Sequence, residues 1–337
     1  MRNVLSICIP TLNRGEYIGE TLESIINQIE AGVEVVIVDG GSTDNTESVV
    51  ADYQKICPEI HYFKSKYVKK YPSNEGFDRD CNYAVELASG EYCWLMTDDD
   101  LIMSGTIKRI LQEVDKNYVL IIANTEIRNK DLSKLLVPKR PDIIQDLVFT
   151  SEEFDQFAKV VFYHLTYAGA VIIKKSLWMN VNREKYYGTG FIHIGVIFDK
   201  TIKGNILVTS NPLITLRWGN AMWADSSSRA FQLWMFTWPE LVWSFSTISD
   251  ESKRSVCLKD PWKKLKKLLS YRVSGCYSKV EYKLFLKERL KSRKDKILSI
   301  LIAVIPISLL HIPLFIRKLY RYFILKKNDK KTSGVTA

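Results

Sequence analysis

The chain has 337 residues, 46% of them hydrophobic and 26% charged, which gives ample material for a packed core and excludes a disordered chain. Its net charge of +10 is unevenly placed: from Lys259 onward there are 21 Lys and Arg against 5 Asp and Glu, whereas residues 1–258 carry 27 against 33. An acidic main body does not suit a protein that embraces nucleic acid, and six cysteines with no CxxC pair predict buried, reduced thiols of a cytosolic protein rather than zinc sites or disulfides.

The apolar run before Pro10 is too short for a secretory signal, so no secretion is expected. VLSICI (4–9) predicts a strand, followed by the turn PTLNRG and a helix from Glu16 to about Ile29 with Ile18, Leu22, Ile25, Ile26 and Ile29 on one face. VEVVIV (33–38) predicts a second strand. It ends in DGGSTDNT, where Gly40 and Gly41 permit a tight turn and Ser42, Thr43 or Asp44 can cap a helix running through Ala51 to Ile56. Strands at 59–63, 91–96 and 118–124 alternate with helices at 78–88 and 104–114. Repeated βα units predict an α/β fold with a mostly parallel sheet between helices, and ligands outside the carboxyl ends of its strands. Residues 125–142 read as a polar loop, followed by a helix at 151–160, a strand AGAVIIK, a helix at 191–199 and a strand PLITLRW.

Chemistry concentrates at two of those strand ends. LMTDDD places Asp98, Asp99 and Asp100 directly after an apolar strand, and Asp39 ends another strand of the same sheet. Three Asp in a row also make a solvated turn or a helix cap. Close carboxylates repel, so at the end of a buried strand they require a positive partner. Hard cations such as Mg²⁺ and Mn²⁺ take carboxylate oxygens together with substrate phosphates.

In this order and spacing, ICIPTLNRGEYIGETLESI, VEVVIVDGGSTDNT and NYAVELASGEYCWLMTDDD resemble the nucleotide-binding half of family 2 glycosyltransferases of the GT-A fold. The resemblance covers residues 3 to about 125. It implies a metal-dependent transferase with Mn²⁺ or Mg²⁺ as cofactor and a nucleotide-sugar donor. Thr11 and Asp39 would lie by the nucleobase, with Asn13 and Arg14 of the same turn also on the donor. Asp98 would lie by the ribose, and Asp99, with Asp100, on the metal that clamps the diphosphate. One departure concerns the base: many relatives have a second acid where this chain has Gly40.

GFDRD (76–80), YYGTGFIHIGVIFD (186–199) and LRWGNAMW (216–223) are also similar to abequosyltransferase-type enzymes that add sugars to lipid-linked O-antigen precursors. That similarity implies a lipid-linked saccharide acceptor and a place at the cytoplasmic face of a bacterial inner membrane. Arg79 would suit a phosphate or a sugar hydroxyl, or else a surface salt bridge with Asp78 or Asp80. An inverting transferase needs a base, and where the family usually has an ED pair at a helix start this chain has Ile192 and His193. His193 is therefore the candidate base, against a role as a cap or core hydrogen-bonding group; Asp199 is the reserve, expected to face solvent. Five of the eight tryptophans fall between Trp218 and Trp243 and read mostly as core, but Trp218 and Trp223 flank the turn GNAM and are the acceptor-stacking candidates.

The tail after Lys296 holds 20 uncharged residues, interrupted by Pro306, His311 and Pro313 and flanked on both sides by basic runs. That length could cross a bilayer, but positive flanks on both sides favour a re-entrant or in-plane anchor on anionic lipid. A buried helix is the other reading. The expected organisation is then a donor half (1–125), an acceptor half (126–250) and a helical C-terminal region (251–337) with a membrane-associating segment at 297–325. A non-catalytic nucleotide-sugar-binding subunit and a nucleotidylyltransferase are the competing functions. The first keeps the fold without turnover; the second needs a glycine-rich loop where PTLNRGEY has one glycine.

Overall fold

A computed structural model describes residues 3–67, 73–220 and 226–310. Its backbone divides into two compact units, one of residues 1–221 with 241–257, the other of residues 222–240 with 258–337.

The first unit is built on one sheet with strand order β3-β2-β1-β4-β9-β6-β10-β5, with β7 paired to β6 and β8 to β10. The strands are β1 (Leu5–Thr11), β2 (Val33–Asp39), β3 (Ile60–Lys64), β4 (Tyr92–Leu95), β5 (Leu101–Ile102), β6 (Leu120–Arg128), β7 (Leu135–Arg140), β8 (Leu147–Phe149), β9 (Val171–Lys174) and β10 (Ile206–Arg217). Helices α1 (Ile18–Ile26), α2 (Thr46–Gln54), α3 (Ser73–Leu87), α4 (Thr106–Val114), α5 (Phe154–Val161), α6 (Lys175–Met179) and α7 (Ile192–Phe198) lie between them in sequence. Strands β3, β2, β1 and β4 run parallel. Every residue of β2 is buried, as expected of a parallel strand covered on both faces. Of its two buried acids, Glu34 lies near the strand start and accepts hydrogen bonds from Ser6 Oγ (2.5 Å), Ser89 N (2.6 Å) and Asn3 Nδ2 (2.9 Å). The order 3-2-1-4 makes the carboxyl ends of β1 and β4 a topological switch point, the place at which open α/β sheets bind their ligands.

Beyond β4 the sheet is mixed, and here the sequence expectations need correction. Residues 125–142 are not a loop: β6 continues to Arg128, returns antiparallel as β7 and pairs along its length with β10. Leu135, Leu136 and Val137 are exposed, so β7 has no buried face and no alternating pattern to reveal it. The PLITLRW strand is the second half of a longer β10, whose register shifts around Pro212. Helix α7 is anchored by aromatic packing, with Phe198 stacked on Phe162 at 4.4 Å and tilted against Phe154 and Phe245. Gly195 on the same helix permits the contact with Tyr186, since a Cβ there would meet the ring at 2.2 Å. All six cysteines are free, and Cys8, Cys57, Cys81 and Cys93 are buried.

The second unit has its own core of Phe231, Met235, Leu268, Tyr277, Leu286 and Ala303, with Phe231 stacked on Tyr277 at 5.0 Å. Helix Arg293–Val304 contributes Ser299 and Ala303 to the buried side, and Tyr277 Oη donates to the Ser299 carbonyl (3.1 Å). Ile297, Leu301 and Val304 of the same helix are exposed. The helix stops before Pro306, and among the described residues no helix is long and apolar enough to cross a membrane. The remainder of the tail from His311, including the basic run that follows the apolar stretch, lies outside the described residues.

Candidate active site

The positive partner demanded by the acidic triplet is supplied twice. Arg14, in the turn after β1, sets its Nε 3.4 Å from Asp98 Oδ1 and its Nη2 3.5 Å from Asp99 Oδ2. Arg217, the last residue of β10, donates its backbone N–H to Asp100 Oδ1 (2.6 Å) and its Nε–H to the Asp99 carbonyl (2.9 Å), while its Nη2 pairs with Glu20. Asn220 adds an Nδ2–H to Asp99 Oδ2 (2.8 Å), and its own carbonyl accepts from Arg14 Nη2 (3.1 Å). Burial raises the pKa of all three carboxyls; Asp99's charge raises Asp98 and Asp100 further, and the guanidiniums of Arg14 and Arg217 oppose the rise at Asp99.

The three carboxylates are not equivalent. Both oxygens of Asp100 are committed, one to Arg217 N–H and the other to Thr97 Oγ1 (2.5 Å), so this side chain closes the turn. Asp98 and Asp99 meet Arg14 only at distances longer than a good hydrogen bond, and no described side chain donates to Asp99 Oδ1. Two polar atoms beside them, Thr11 Oγ1 and Arg14 Nε, are buried without a hydrogen-bond partner among the described residues. Hard oxygens whose ionisation is held back by burial, with open valences, fit a divalent cation. Among the described residues no three His, Cys, Asp or Glu side chains converge on a point, so donor phosphates and water would have to complete its shell.

The second strand end is laced to the first. Asp39, in register with Thr11, accepts from Gly41 N (2.8 Å) and Ser42 N (2.7 Å) through Oδ1 and from Tyr62 Oη through Oδ2. Asn13, with φ of 53°, donates its backbone N–H to Ser42 Oγ (2.8 Å) and accepts from Thr43 N (2.8 Å). Gly15 N–H reaches Asp44 Oδ2 (3.0 Å). Thr11, Asn13, Arg14, Asp39 and Asp98 to Asp100 thus gather at the carboxyl ends of β1, β2 and β4.

The other sequence candidates stand elsewhere. Arg79 pairs with Glu75 (3.0 and 2.8 Å), lies over the ring of Tyr187 at 4.3 Å and lines a cavity of about 360 Å³ with Tyr67, Glu86 and Arg183. Its expected partners are engaged otherwise: Asp78 accepts the N–H groups of Gly190 (2.8 Å) and Ile192 (3.1 Å) at the start of α7, and Asp80 accepts from Ser65 Oγ. His193 is 1% exposed. Its Nε2 lies 2.7 Å from the Leu165 carbonyl, its Nδ1 has no partner among the described residues, and burial lowers its pKa to about 4. Asp199 does not face solvent as expected: its side chain is 6% exposed, held by Lys185 and Tyr186 Oη (2.7 Å), and these partners outweigh burial to lower its pKa. Trp218 is 55% exposed directly after Arg217, and Trp223 lies outside the described residues.

Sequence reasoning missed Arg217, Asn220, Asp80 and Tyr167. An arginine closing a strand just before a GN turn was a visible signal for the first two. Tyr167 had none: its Oη lies 3.3 Å from Thr97 Oγ1, two residues along from the carbonyl that holds His193. Segment 164–170 therefore touches both the acidic turn and α7.

Comparison with known proteins agrees with this geometry. Residues 6–178, over half of the chain, match Glycosyl transferase family 2. Abequosyltransferase RfbV of Salmonella typhimurium is 26% identical over 302 residues, 85% of this chain and 88% of that protein. The GalNAc(5)-diNAcBac-PP-undecaprenol beta-1,3-glucosyltransferase of Campylobacter jejuni is 28% identical over 200 residues, and the match spans 56% of this chain and 62% of that one. Among solved structures, S. aureus TarS 1-349 in complex with UDP is similar in fold (TM-score 0.55, 17% identity, 85% of this chain and 77% of that chain). So is the mannosyltransferase PcManGT of Pyrobaculum calidifontis in complex with GDP-Man and Mn²⁺ (TM-score 0.51, 14% identity, 90% and 87%). The two fold neighbours are GT-A glycosyltransferases, and in this chain the acids stand at the carboxyl ends of β2 and β4, where open α/β sheets bind their ligands. Together with the extent of the profile match, this establishes that the chain belongs to glycosyl transferase family 2 and is a transferase of the GT-A fold.

Proposed function

We propose that the protein transfers a sugar from a nucleoside-diphosphate donor to a lipid-linked saccharide in the assembly of a bacterial cell-surface polysaccharide such as O-antigen, with inversion and with Mn²⁺ or Mg²⁺. The observation that carries the reading is the pairing of Asp98 and Asp99 with Arg14 at the switch point of the sheet. Support for the donor comes from neighbours solved with UDP and GDP-Man, and for the acceptor from the undecaprenol-linked substrate in the name of the Campylobacter relative.

In this reading Asp99 faces the cation and Asp98 the ribose, Thr11 and Asp39 border the nucleobase, and Asp100 holds the turn. A divalent cation there would neutralise the departing diphosphate. Arg14, already between the two carboxylates, turns its charge to the phosphates when the carboxylates are otherwise compensated. Of the two base candidates, Asp199 is held through Oδ1 by both Lys185 and Tyr186 Oη, partners that lower its pKa and so weaken it as a base. His193 has its Nε2–H on a carbonyl, which leaves the Nδ1 lone pair to accept the acceptor hydroxyl's proton. Trp218 is assigned to the acceptor sugar. Incubation with a panel of nucleotide sugars and Mn²⁺ should release nucleoside diphosphate from at least one, and EDTA should abolish the release. Turnover unchanged in EDTA would remove the cation from the scheme.

We also place the protein at the cytoplasmic membrane face through its basic C-terminal residues and the exposed Ile297, Leu301 and Val304. Since Ser299 and Ala303 belong to the core of the second unit, a truncation test must spare helix Arg293–Val304. A chain ending at Leu310 should leave the membrane fraction yet bind donor with unchanged affinity. If it stays on vesicles containing anionic lipid, the residues beyond Leu310 are not the anchor.

A further inference from the structure

We propose that Asp80, on helix α3, supplies the carboxylate that reads the donor's nucleobase, standing where a side chain at position 40 would project, and that it selects a base with a ring N–H on its pairing edge (uracil, thymine or guanine). This inference rests on the donor reading above and adds to it the residue and the class of base.

Asp39, the acid to which the motif points, has both oxygens engaged in holding its own turn and Tyr62. Gly40 follows it, and its N–H donates to the Thr11 carbonyl (2.8 Å), which fixes it against the end of β1. A Cβ on Gly40 would lie 2.9 Å from Asp80 Oδ2, 3.5 Å from the Thr11 carbonyl and 3.7 Å from Leu12 Cβ. The space over Gly40 is thus filled by a carboxylate borrowed from another element. Asp80 is 7% exposed. Its Oδ1 is anchored by Ser65 Oγ, and Ser65 in turn donates its N–H to the Asp39 carbonyl (2.8 Å). Its Oδ2 accepts nothing from the described residues. One oxygen is tied down and the other is offered at the strand ends, beside the strand that ends in the equally unpartnered Thr11 Oγ1.

An ionised carboxylate only accepts hydrogen bonds. Opposite it, a ring N–H gains a charge-assisted bond, whereas the bare ring nitrogen that cytosine and adenine present there meets lone pair with lone pair. Gly40 and Asp80 belong to one device: the glycine is required because the acid comes from α3.

Equilibrium binding of UDP, GDP, dTDP, CDP and ADP to the full chain with Mn²⁺, at mildly alkaline pH, tests this. At least one of the first three should bind about tenfold or more tightly than CDP and ADP, the usual worth of a hydrogen bond to a charged group. Asp80→Asn, which turns an amide N–H toward the base, should shrink that preference to within about threefold or reverse it. Gly40→Ala, whose new methyl displaces the carboxylate while keeping its chemistry, should reduce the preference in the same direction and decides the matter if Asp80→Asn does not fold. A wild-type preference for CDP or ADP, or variants that bind with the wild-type order of bases, would overturn the role of Asp80 and leave the donor reading intact. Failure of every nucleoside diphosphate to bind would overturn both.

Discussion

Asp99→Ala is expected to lower transfer about 10³-fold, the scale on which loss of one preorganised electrostatic group at a reacting centre is felt, while the protein keeps its melting temperature. The two outcomes separate because of how Asp99 is held. Its side chain is bound by Arg14 and Asn220, and Arg217 is retained without it through the Asp99 carbonyl, Asp100 and Glu20. Burial raises its pKa, so the folded state resists its ionisation, and deleting the carboxylate removes a strain rather than a support. Arg14 keeps Asp98 as its counter-ion. Initial rates over a Mn²⁺ titration, paired with a thermal melt, make the comparison. Full activity in the variant would return the triplet to a structural role, and a large fall in melting temperature would show that the charge cluster is a fastener instead.

For His193→Ala the expected loss is about 10²-fold in kcat with donor affinity unchanged, the usual scale of general base catalysis. At 1% exposure the ring also fills core volume, so the melt should drop moderately in any case. The decisive readout is the split between steps: a base acts on transfer to the acceptor and leaves binding of the nucleoside diphosphate alone. Near-normal kcat, or a loss shared equally by donor binding and turnover, would assign His193 to the core beside Leu165.

The clustering of residues at the carboxyl ends of β1, β2 and β4 was legible because each of its signals is local. An apolar strand, its turn and the polar group at the strand's end (Thr11 on one strand, acids on the other two) occupy contiguous residues, and three such units in order brought Thr11, Arg14, Asp39 and Asp98 to Asp100 to one place. What could not be read depends on partners far along the chain. Arg217 lies 117 residues from the carboxylate its backbone binds, Asp78 is 112 residues from Gly190, and the 135–140 strand shows no apolar alternation because neither of its faces is covered. The assumption that Asp199 faces solvent failed for the same reason: helical spacing shows which side of a helix a residue occupies, but Tyr186 and Lys185 arrive from the separate 3₁₀ turn Arg183–Tyr186. The apolar tail read as one segment, yet part of it, the helix Arg293–Val304, is divided between a buried and an exposed side by a core assembled from distant residues.

The lacing of the first two turns has a thermodynamic consequence. Asn13 to Ser42 and Thr43, Gly15 to Asp44, and Gly40 to Thr11 are bonds that join two loops into one clasp. Loops at the mouth of a crevice are ordinarily the part of a fold that must be frozen when ligand arrives, and each ordered residue subtracts from affinity. Here that entropy is surrendered during folding. A nucleotide bound there, as proposed above, would meet a rigid edge, and more of the free energy of its contacts would remain for tight and selective capture.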